Sequence, residues 1–222
     1  MARMKGNGMQ GPFTGKLGNV VGCRWKDTYY IRTRPFTVKH PNTPAQMAQR
    51  MRFTKTHDFL KPLTEILRVG YGAYTANKSA YNAAMSYNMK NALTGNYPDI
   101  AIDPALVLLS KGTLPGASKA VVKLIDNREI KFFWDVTEIQ THANDNDKVI
   151  LILRDLNSWA KDYKMDVARR QEGVASISIK GLGAPGHTIA CYMFFIKQKV
   201  LLGDYSEDAI SNSIYCGTVE IA

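Results

Sequence analysis

The sequence has little of what marks secreted, disulfide-bonded or membrane-spanning proteins. Its 222 residues include only three cysteines, Cys23, Cys191 and Cys216, which lie far apart. Because disulfide scaffolds use an even number of cysteines, this count argues against such a scaffold and indicates a reducing compartment. The longest unbroken apolar run covers residues 189–196, whereas a helix that spans a bilayer needs about 20 apolar residues. The chain begins with basic residues that no apolar segment follows. We therefore expect no signal peptide, no membrane segment and a cytoplasmic location, which includes a virion assembled in the cytoplasm.

Signatures of catalysis and of metal binding are also missing from the sequence. The four histidines lie far apart, and no set of Cys and His residues has the spacing of a zinc site. Residues 181–186 match the Gly-x-Gly-x-x-Gly pattern, but Pro185 interrupts them and a strand-like run follows. Since a dinucleotide site needs a helix at that point, we interpret these residues as a turn between strands. Each cysteine lies in a strand-like apolar context, which favours buried, inert thiols. We expect a non-enzymatic protein with no cofactor, no metal ion and no small-molecule substrate.

Acidic residues are scarce in the first half of the chain. Residues 1–98 contain 15 Lys and Arg but only three acids, whereas the remaining residues contain 14 basic and 16 acidic residues. The chain as a whole has a net charge of +10, so all of the excess lies in its first half. This asymmetry favours a polyanionic or acidic partner for that half. The alternatives are a basic half that docks onto acidic neighbours in an oligomer, or one that only keeps the protein soluble.

The first two regions of the chain are a glycine-rich arm and a basic region with a hairpin and helices. We assign residues 1–18 to the arm, because glycine at this density forms no core of its own. Residues 19–98 begin with a β-hairpin over 19–34, which turns near Lys26. A helix then starts after Thr43, with Pro44 at its first position, and Pro62 predicts a kink or a fresh start.

The faces of this hairpin are predicted to differ in chemistry, because successive side chains of a strand point to opposite sides. The apolar face is expected to carry Val21, Cys23, Trp25, Tyr29, Ile31 and Thr33. The basic face is expected to carry Arg24, Lys26, Tyr30, Arg32 and Arg34. A basic ribbon with an aromatic ring can bind phosphates and stack a nucleic-acid base. The same pattern also fits a solvated outer face, or one that pairs with acids on a partner.

The rest of the chain predicts helices followed by many short strands. A helix is expected from about Ser79 to Leu93, with an apolar stripe that packs against other elements. Within 103–222, short apolar or alternating runs are separated by turn-prone stretches; the runs are 105–110, 119–125, 128–135, 148–155, 161–167, 174–180, 187–200 and 212–221. Strands of this number with no helix between them fit an immunoglobulin-like antiparallel β-sandwich, with Trp134 in its core. The expected class is therefore α+β, an N-terminal basic β-hairpin plus helices followed by this sandwich.

Several segments resemble a known family. The resemblance rests on GKLGNVVG at 15–22 with Trp25-Lys26 after it, PNTPAQMAQR at 41–50, YNAAMSYN at 81–88 and SNSIY at 211–215. Together they resemble a domain family of unknown function that is widespread in Bacteroidota and their mobile elements. Similar Thr-Pro-Ala-Gln-x-x-x-Arg segments occur in phage-associated proteins of these bacteria. The resemblance implies no activity and no catalytic residues, and it favours a role in a phage-like assembly.

Two hypotheses of different class follow. The first is a structural or assembly protein, a component of a phage-like virion or another multimeric particle, whose arm and basic hairpin contact neighbouring subunits. The second is a nucleic-acid-binding module without sequence specificity, since no helix-turn-helix, zinc-finger or RRM signature is present. Both use the same candidate residues for a polyanion or partner: Arg24, Lys26, Tyr30, Arg32, Arg34 and Lys39 in and after the hairpin, and Arg50, Arg52 and Lys55 on the helix. The expected partners are a second copy of the chain or an assembly partner, and nucleic acid in the second hypothesis.

Overall fold

The chain forms two compact units, Met1–Thr43 and Pro44–Ala222, each of which is described by itself. A computed structural model describes residues 2–3, 14–25, 28–36, 42–76, 78–125, 129–137, 142–179 and 181–221. The strands are β1 (Ala2–Arg3), β2 (Gly15–Leu17), β3 (Val20–Trp25), β4 (Thr28–Thr33), β5 (Leu93–Thr94), β6 (Ala101–Ile102), β7 (Ser118–Ile125), β8 (Glu129–Asp135), β9 (Lys148–Asp155), β10 (Lys161–Arg169), β11 (Val174–Ser178), β12 (Thr188–Ile196) and β13 (Ile214–Glu220). The α-helices are α1 (Pro44–Leu60), α2 (Thr64–Gly70), α3 (Ala80–Asn91) and α4 (Gln198–Leu201). Short 3-10 helices cover Lys61–Leu63, Gly72–Tyr74, Pro104–Leu106, Arg170–Glu172 and Glu207–Ala209.

The first unit is a small antiparallel sheet, which we call the N-terminal sheet. Its strand order is β1-β4-β3-β2. The hairpin predicted over 19–34 is confirmed as β3 and β4, and the pairing continues beyond the strands because the Arg34 backbone N–H donates to the Asn19 carbonyl oxygen at 2.8 Å. Strands on both sides of the hairpin widen it into the sheet, which the sequence did not predict.

Helices α1 and α3 of the second unit begin where the sequence predicted, whereas α3 ends at Asn91, two residues before the predicted end. α1 begins at Pro44, and Pro62 lies in the 3-10 turn that separates α1 from α2. Ser79 caps α3, since its hydroxyl accepts a hydrogen bond from the Asn82 backbone N–H at 3.1 Å. The buried face of α3 includes Met85 and Asn88. The Asn88 amide donates to the Leu108 carbonyl and accepts from the Leu108 N–H, which fixes the segment after β6 against this helix.

The second unit has a four-stranded antiparallel sheet whose two middle strands, β9 and β12, are buried on both faces. We call it the central sheet, and its strand order is β10-β9-β12-β13. One face, which includes Ile150, Ile152 and Phe194, packs in one core with α1, α2 and α3. The other face packs in a second core with the strands of a further sheet. Every residue of β12 after Thr188 is therefore buried, which explains why this strand is an unbroken apolar run rather than an alternating one.

The further sheet, which we call the outer sheet, completes a sandwich with the central sheet. Its order is β11-β8-β7 and its buried residues alternate along β8, where Ile130, Phe132 and Trp134 face the core. Trp134 is a core residue as predicted, and its indole N–H donates to the Arg170 carbonyl oxygen at 2.8 Å. The class is thus α+β with antiparallel sheets. Most of the predicted runs form strands, but a 3-10 helix (Pro104–Leu106) replaces the start of 105–110 and α4 replaces the end of 187–200. The prediction that no helix lies between the strands is therefore wrong, because α4 lies between β12 and β13.

Candidate functional site

The register of the hairpin corrects the predicted basic face. Cys23 lies opposite Tyr30, and Arg24 lies opposite Tyr29. Because directly opposite residues share a face, Arg24 belongs with Tyr29, whereas Tyr30 and Arg32 lie on the other face. The prediction that Arg24 shares a face with Tyr30 and Arg32 is therefore wrong. The cause is the parity of the connection, since a shift by one residue moves every side chain of a strand to the opposite face.

The face of Arg32 carries a second cation from a third strand. Lys16 on β2 lies opposite Val21, and Val21 lies opposite Arg32 on β4, so the three residues form one row across the sheet. Tyr30 stands on the same face, two residues from Arg32. Lys16 and Arg32 are exposed and Tyr30 is half-buried. This face thus combines cations with an aromatic ring, as a surface that binds phosphates and stacks a base requires, and Arg34 follows at the same strand parity.

The face of Arg24 has a different character. The Arg24 guanidinium carbon lies 5.3 Å from the centre of the Tyr29 ring, a distance at which a cation and an aromatic face attract each other. Ile31 and Leu17 lie on this face by the register. The apolar and basic residues are therefore mixed on both sides of the sheet, and the predicted division into one apolar and one basic face is not found.

The N-terminal sheet lacks a buried core of its own. Among the described residues 14–36, the only buried residue is Gly22, which has no side chain. Large apolar side chains are instead exposed: Leu17 is 61% exposed, Trp25 is 49% exposed and Phe36 is 87% exposed. A small sheet normally needs one apolar face packed on another layer. No described residue of the first unit supplies that layer.

The helix residues of the predicted site lie on α1 but do not share one face. No residue of α1 before Thr56 is buried, so its first three turns stand outside the core. Arg52 and Lys55 are three residues apart and therefore neighbours on the helix surface, whereas Arg50 points to another side. Arg50 shares its side with Phe53, which is 51% exposed. Lys26 and Lys39, which were also predicted as site residues, lie outside the described residues.

The last turn of α1 accepts hydrogen bonds from a buried arginine, which the sequence did not predict as a site residue. Arg154, at the end of β9, is 5% exposed. Its guanidinium donates to the backbone carbonyl oxygens of Asp58, Phe59, Asp155, Ser158 and Ala160. Two of these carbonyls belong to the C-terminal end of α1, where a cation is favourable because the carbonyl dipoles point outward. Burial lowers the pKa of Arg154, and the charge of Asp155 opposes this effect.

A cleft of about 400 Å³ opens beside Arg154. Lys55 lines it, so this predicted residue stands at the mouth of a concavity, together with Asp58, Asn157 and the exposed ring of Trp159. Lys61 lies above the Trp159 ring, with 5.2 Å between its ammonium and the ring centre. The lining mixes both charge signs with an aromatic ring, so it selects no single class of ligand.

Asp155 is the centre of a second network that the sequence did not reveal. Its carboxylate accepts hydrogen bonds from the Asn157 N–H, the Ser158 hydroxyl and, at 2.8 Å, the His187 ring. Burial raises the pKa of Asp155, but the bonds from Ser158 and His187 outweigh it and lower this pKa overall. A catalytic triad needs the serine hydroxyl to donate to the histidine. Here the hydroxyl donates to the carboxylate, so the arrangement fastens a loop instead of activating a nucleophile.

Two of the three cysteines lie in the buried core. Cys191 and Cys216 are buried, and burial raises the pKa of both thiols, that of Cys216 to about 12. Both are buried as predicted, and the raised pKa disfavours the thiolate, which is the reactive form. Cys23, for which burial was also predicted, is only half-buried. Within the described ranges, no group of three or more His, Cys, Asp and Glu residues could hold a metal ion. The helices in those ranges are all too short or too polar to cross a membrane.

Comparison with known proteins places the chain in a family whose function is unknown. A family model described as "Family of unknown function (DUF6266)" matches residues 11–217. No curated protein matches the chain. The family of unknown function expected from the sequence motifs is confirmed at this level, while its link to Bacteroidota and phages stays a prediction.

Proposed function

The chain belongs to the DUF6266 family of unknown function, and we propose that it is a non-enzymatic structural protein that assembles through its N-terminal sheet. The observation that carries this proposal is the absence of buried side chains among the described residues 14–36, in a sheet that exposes Leu17, Trp25 and Phe36. Isolated surface apolar residues need no explanation, but a whole sheet without a packed layer does. The missing layer is a neighbouring copy of the chain or another subunit of the same particle.

The particle is proposed to be phage-like and assembled in the cytoplasm. Support comes from the resemblance of the 41–50 segment to phage-associated proteins of Bacteroidota, and from the glycine-rich arm over 1–18, most of which lies outside the described residues. A chain this rich in glycine can cross to a neighbouring subunit without forming a core of its own.

The sandwich of the second unit is proposed to be immunoglobulin-like and to serve as the packing or display module. Support comes from the strand order. When β7 to β13 are lettered A to G, the outer sheet has the order E-B-A and the central sheet the order D-C-F-G. Immunoglobulin constant domains likewise place A, B and E in one sheet and C, F and G in the other. The difference is the fourth strand, which here lies beside strand C instead of strand E.

The assembly proposal is tested by removing apolar surface from the N-terminal sheet. Tag-free, nuclease-treated protein is measured by size-exclusion chromatography with light scattering over a range of concentrations. We expect a multimer for the unmodified chain and a monomer for the Leu17→Ser/Trp25→Ser variant, with the same circular dichroism. Leu202→Ser is the matched control, because Leu202 is 81% exposed but lies in the other unit. A monomer at every concentration for the unmodified chain would contradict the proposal, as would a double variant that assembles normally.

A second candidate function is nucleic-acid binding without sequence specificity, and the row of Lys16 and Arg32 beside Tyr30 favours it. Binding that neutralises phosphates weakens with salt, with a log–log slope of about −0.7 per phosphate on single strands. We expect Arg32→Ala/Arg34→Ala to make this slope shallower in fluorescence anisotropy with a single-stranded oligonucleotide. Lys164→Ala, on the exposed side of β10, is the control and should leave the slope unchanged. An unchanged slope and affinity in the double variant would contradict nucleic-acid binding at the face that carries Arg32.

A further inference from the structure

A second basic surface lies in the second unit, and it shares no residue with the cleft beside Arg154. A pocket of about 190 Å³ opens between the end of α2, the exposed side of α3 and the segment after β6. Three lysines and three tyrosines contribute to its lining: Lys78, Lys90, Lys111, Tyr71, Tyr74 and Tyr87. The hydroxyl-bearing Ser86 also lines it. The pocket thus gathers ammonium and hydroxyl donors around one small concavity.

The three lysines have no carboxylate partner in the part of the chain that the structure describes. The ion pairs found there use other cations, such as Lys161 with Glu65. The carboxylate of Glu207 is near Tyr74, and burial together with the charge of Glu207 raises the pKa of Tyr74. Three lysines thus line the pocket, whereas the carboxylate of Glu207 lies near Tyr74 and is not part of the lining. Like charges around one concavity repel each other unless an anion binds between them, so the pocket carries a field that attracts anions.

Lys111 is held in place at the wall of this pocket. Its ammonium lies 4.8 Å from the centre of the Tyr74 ring and 5.9 Å from that of the Tyr87 ring. Its backbone N–H donates to the Gly70 carbonyl oxygen at 2.9 Å, at the end of α2. A charge fixed before the ligand arrives loses less entropy on binding than a free surface lysine does. The pocket is also smaller than the roughly 300 Å³ at which sites for drug-sized molecules begin, so the ligand that fits is a small charged group.

We propose that this pocket binds a phosphate group. Several ammonium groups suit phosphate, because each ionised or doubly bonded oxygen of a phosphate group accepts charge-assisted hydrogen bonds. The phosphate belongs either to the free ion or to the backbone of a nucleic acid, and the two sources share this chemistry. The site does not depend on the proposed assembly, because every residue in it lies in the second unit.

The test is a calorimetric titration of the full chain in a phosphate-free, low-salt buffer. One arm uses inorganic phosphate, and the other uses a short single-stranded oligonucleotide. We expect saturable binding in at least one arm and a weakening of about tenfold in Lys111→Gln and in Lys90→Gln, since each variant removes one charged donor. Lys123→Gln is the matched control. Lys123 also stands over an aromatic ring, 5.9 Å from the centre of Phe133, but lines no part of this pocket.

Each result decides the proposal. Binding of inorganic phosphate that the pocket variants weaken assigns the site to the free ion, and binding of the oligonucleotide alone with the same sensitivity assigns it to a nucleic-acid backbone. No saturable binding in either arm overturns the proposal, as does an equal loss in Lys123→Gln. Because Lys111 also packs on two rings, Lys78→Gln provides a variant at an exposed position, with circular dichroism as the check on folding.

Discussion

The N-terminal sheet and the central sheet are both four-stranded and antiparallel, yet they differ completely in burial. In the central sheet, β9 and β12 are buried on both faces, between the helices on one side and the outer sheet on the other. In the N-terminal sheet, none of the described side chains of β2 to β4 is buried. Backbone pairing alone therefore does not tell which sheet is the stable core, because most of the stabilisation comes from the apolar area that packing removes from water.

Truncating one apolar side chain in each of the two sheets should give the greatest difference in stability. Phe194→Ala removes a fully buried ring from β12 and should lower the free energy of unfolding by about 4 kcal/mol. Ile31→Ala removes a half-buried side chain from β4 and should cost less than about 1 kcal/mol. Urea unfolding at a concentration that keeps the protein monomeric measures both. Equal losses in the two variants would mean that the N-terminal sheet is as well packed as the central sheet.

The next effect concerns the arginine that joins the central sheet to α1. Arg154→Met leaves several buried carbonyl oxygens without donors and should lower the free energy of unfolding by about 3 kcal/mol. Arg68→Met, at an exposed position on α2, is the control and should change stability by less than about 0.5 kcal/mol. If the two variants unfold at the same urea concentration, the guanidinium does not hold helix and sheet together.

A smaller effect is expected from Asp155, whose network fastens the loop after β9. Its pKa is lower in the folded chain than its ordinary value of 3.8. The stability from this group is therefore fully present above the unfolded value and is lost as the pH falls through the folded value. Asp155→Asn should flatten the acid side of a plot of unfolding free energy against pH, while the exposed Asp204→Asn should not. An acid limb as steep in Asp155→Asn as in the unmodified chain would contradict the assigned role.

The positions of most elements could be predicted from the sequence, because their signals are local. Pro44 marks the start of α1, and the turn-prone stretches mark boundaries between strands that the structure keeps. The unbroken apolar run 189–196 also carried a signal of burial on both faces. The run does not show which elements cover each face, because the residue pattern of one strand does not encode its packing partners. The helices on one face of the central sheet could therefore not be predicted from this run.

The candidate site was harder to predict, for two physical reasons. The face on which Arg24 lies depends on the parity of the hairpin connection, and one residue of difference reverses it. Arg154 and Asp155 are charged residues at the end of an apolar strand, a position that also fits an ordinary exposed turn. Only the approach of α1 and of His187 from distant parts of the chain gives them buried partners.

Amide hydrogen exchange of the two sheets, measured at low and high protein concentration, shows whether a neighbouring subunit covers the N-terminal sheet. We expect β9 and β12 to be protected at both concentrations, because their protection comes from the packing within one chain. We expect β3 and β4 to exchange rapidly at low concentration and to become protected where light scattering shows a multimer. Protection of β3 and β4 equal to that of β9 and β12 at every concentration would contradict the claim that the N-terminal sheet obtains its missing layer from a neighbouring subunit.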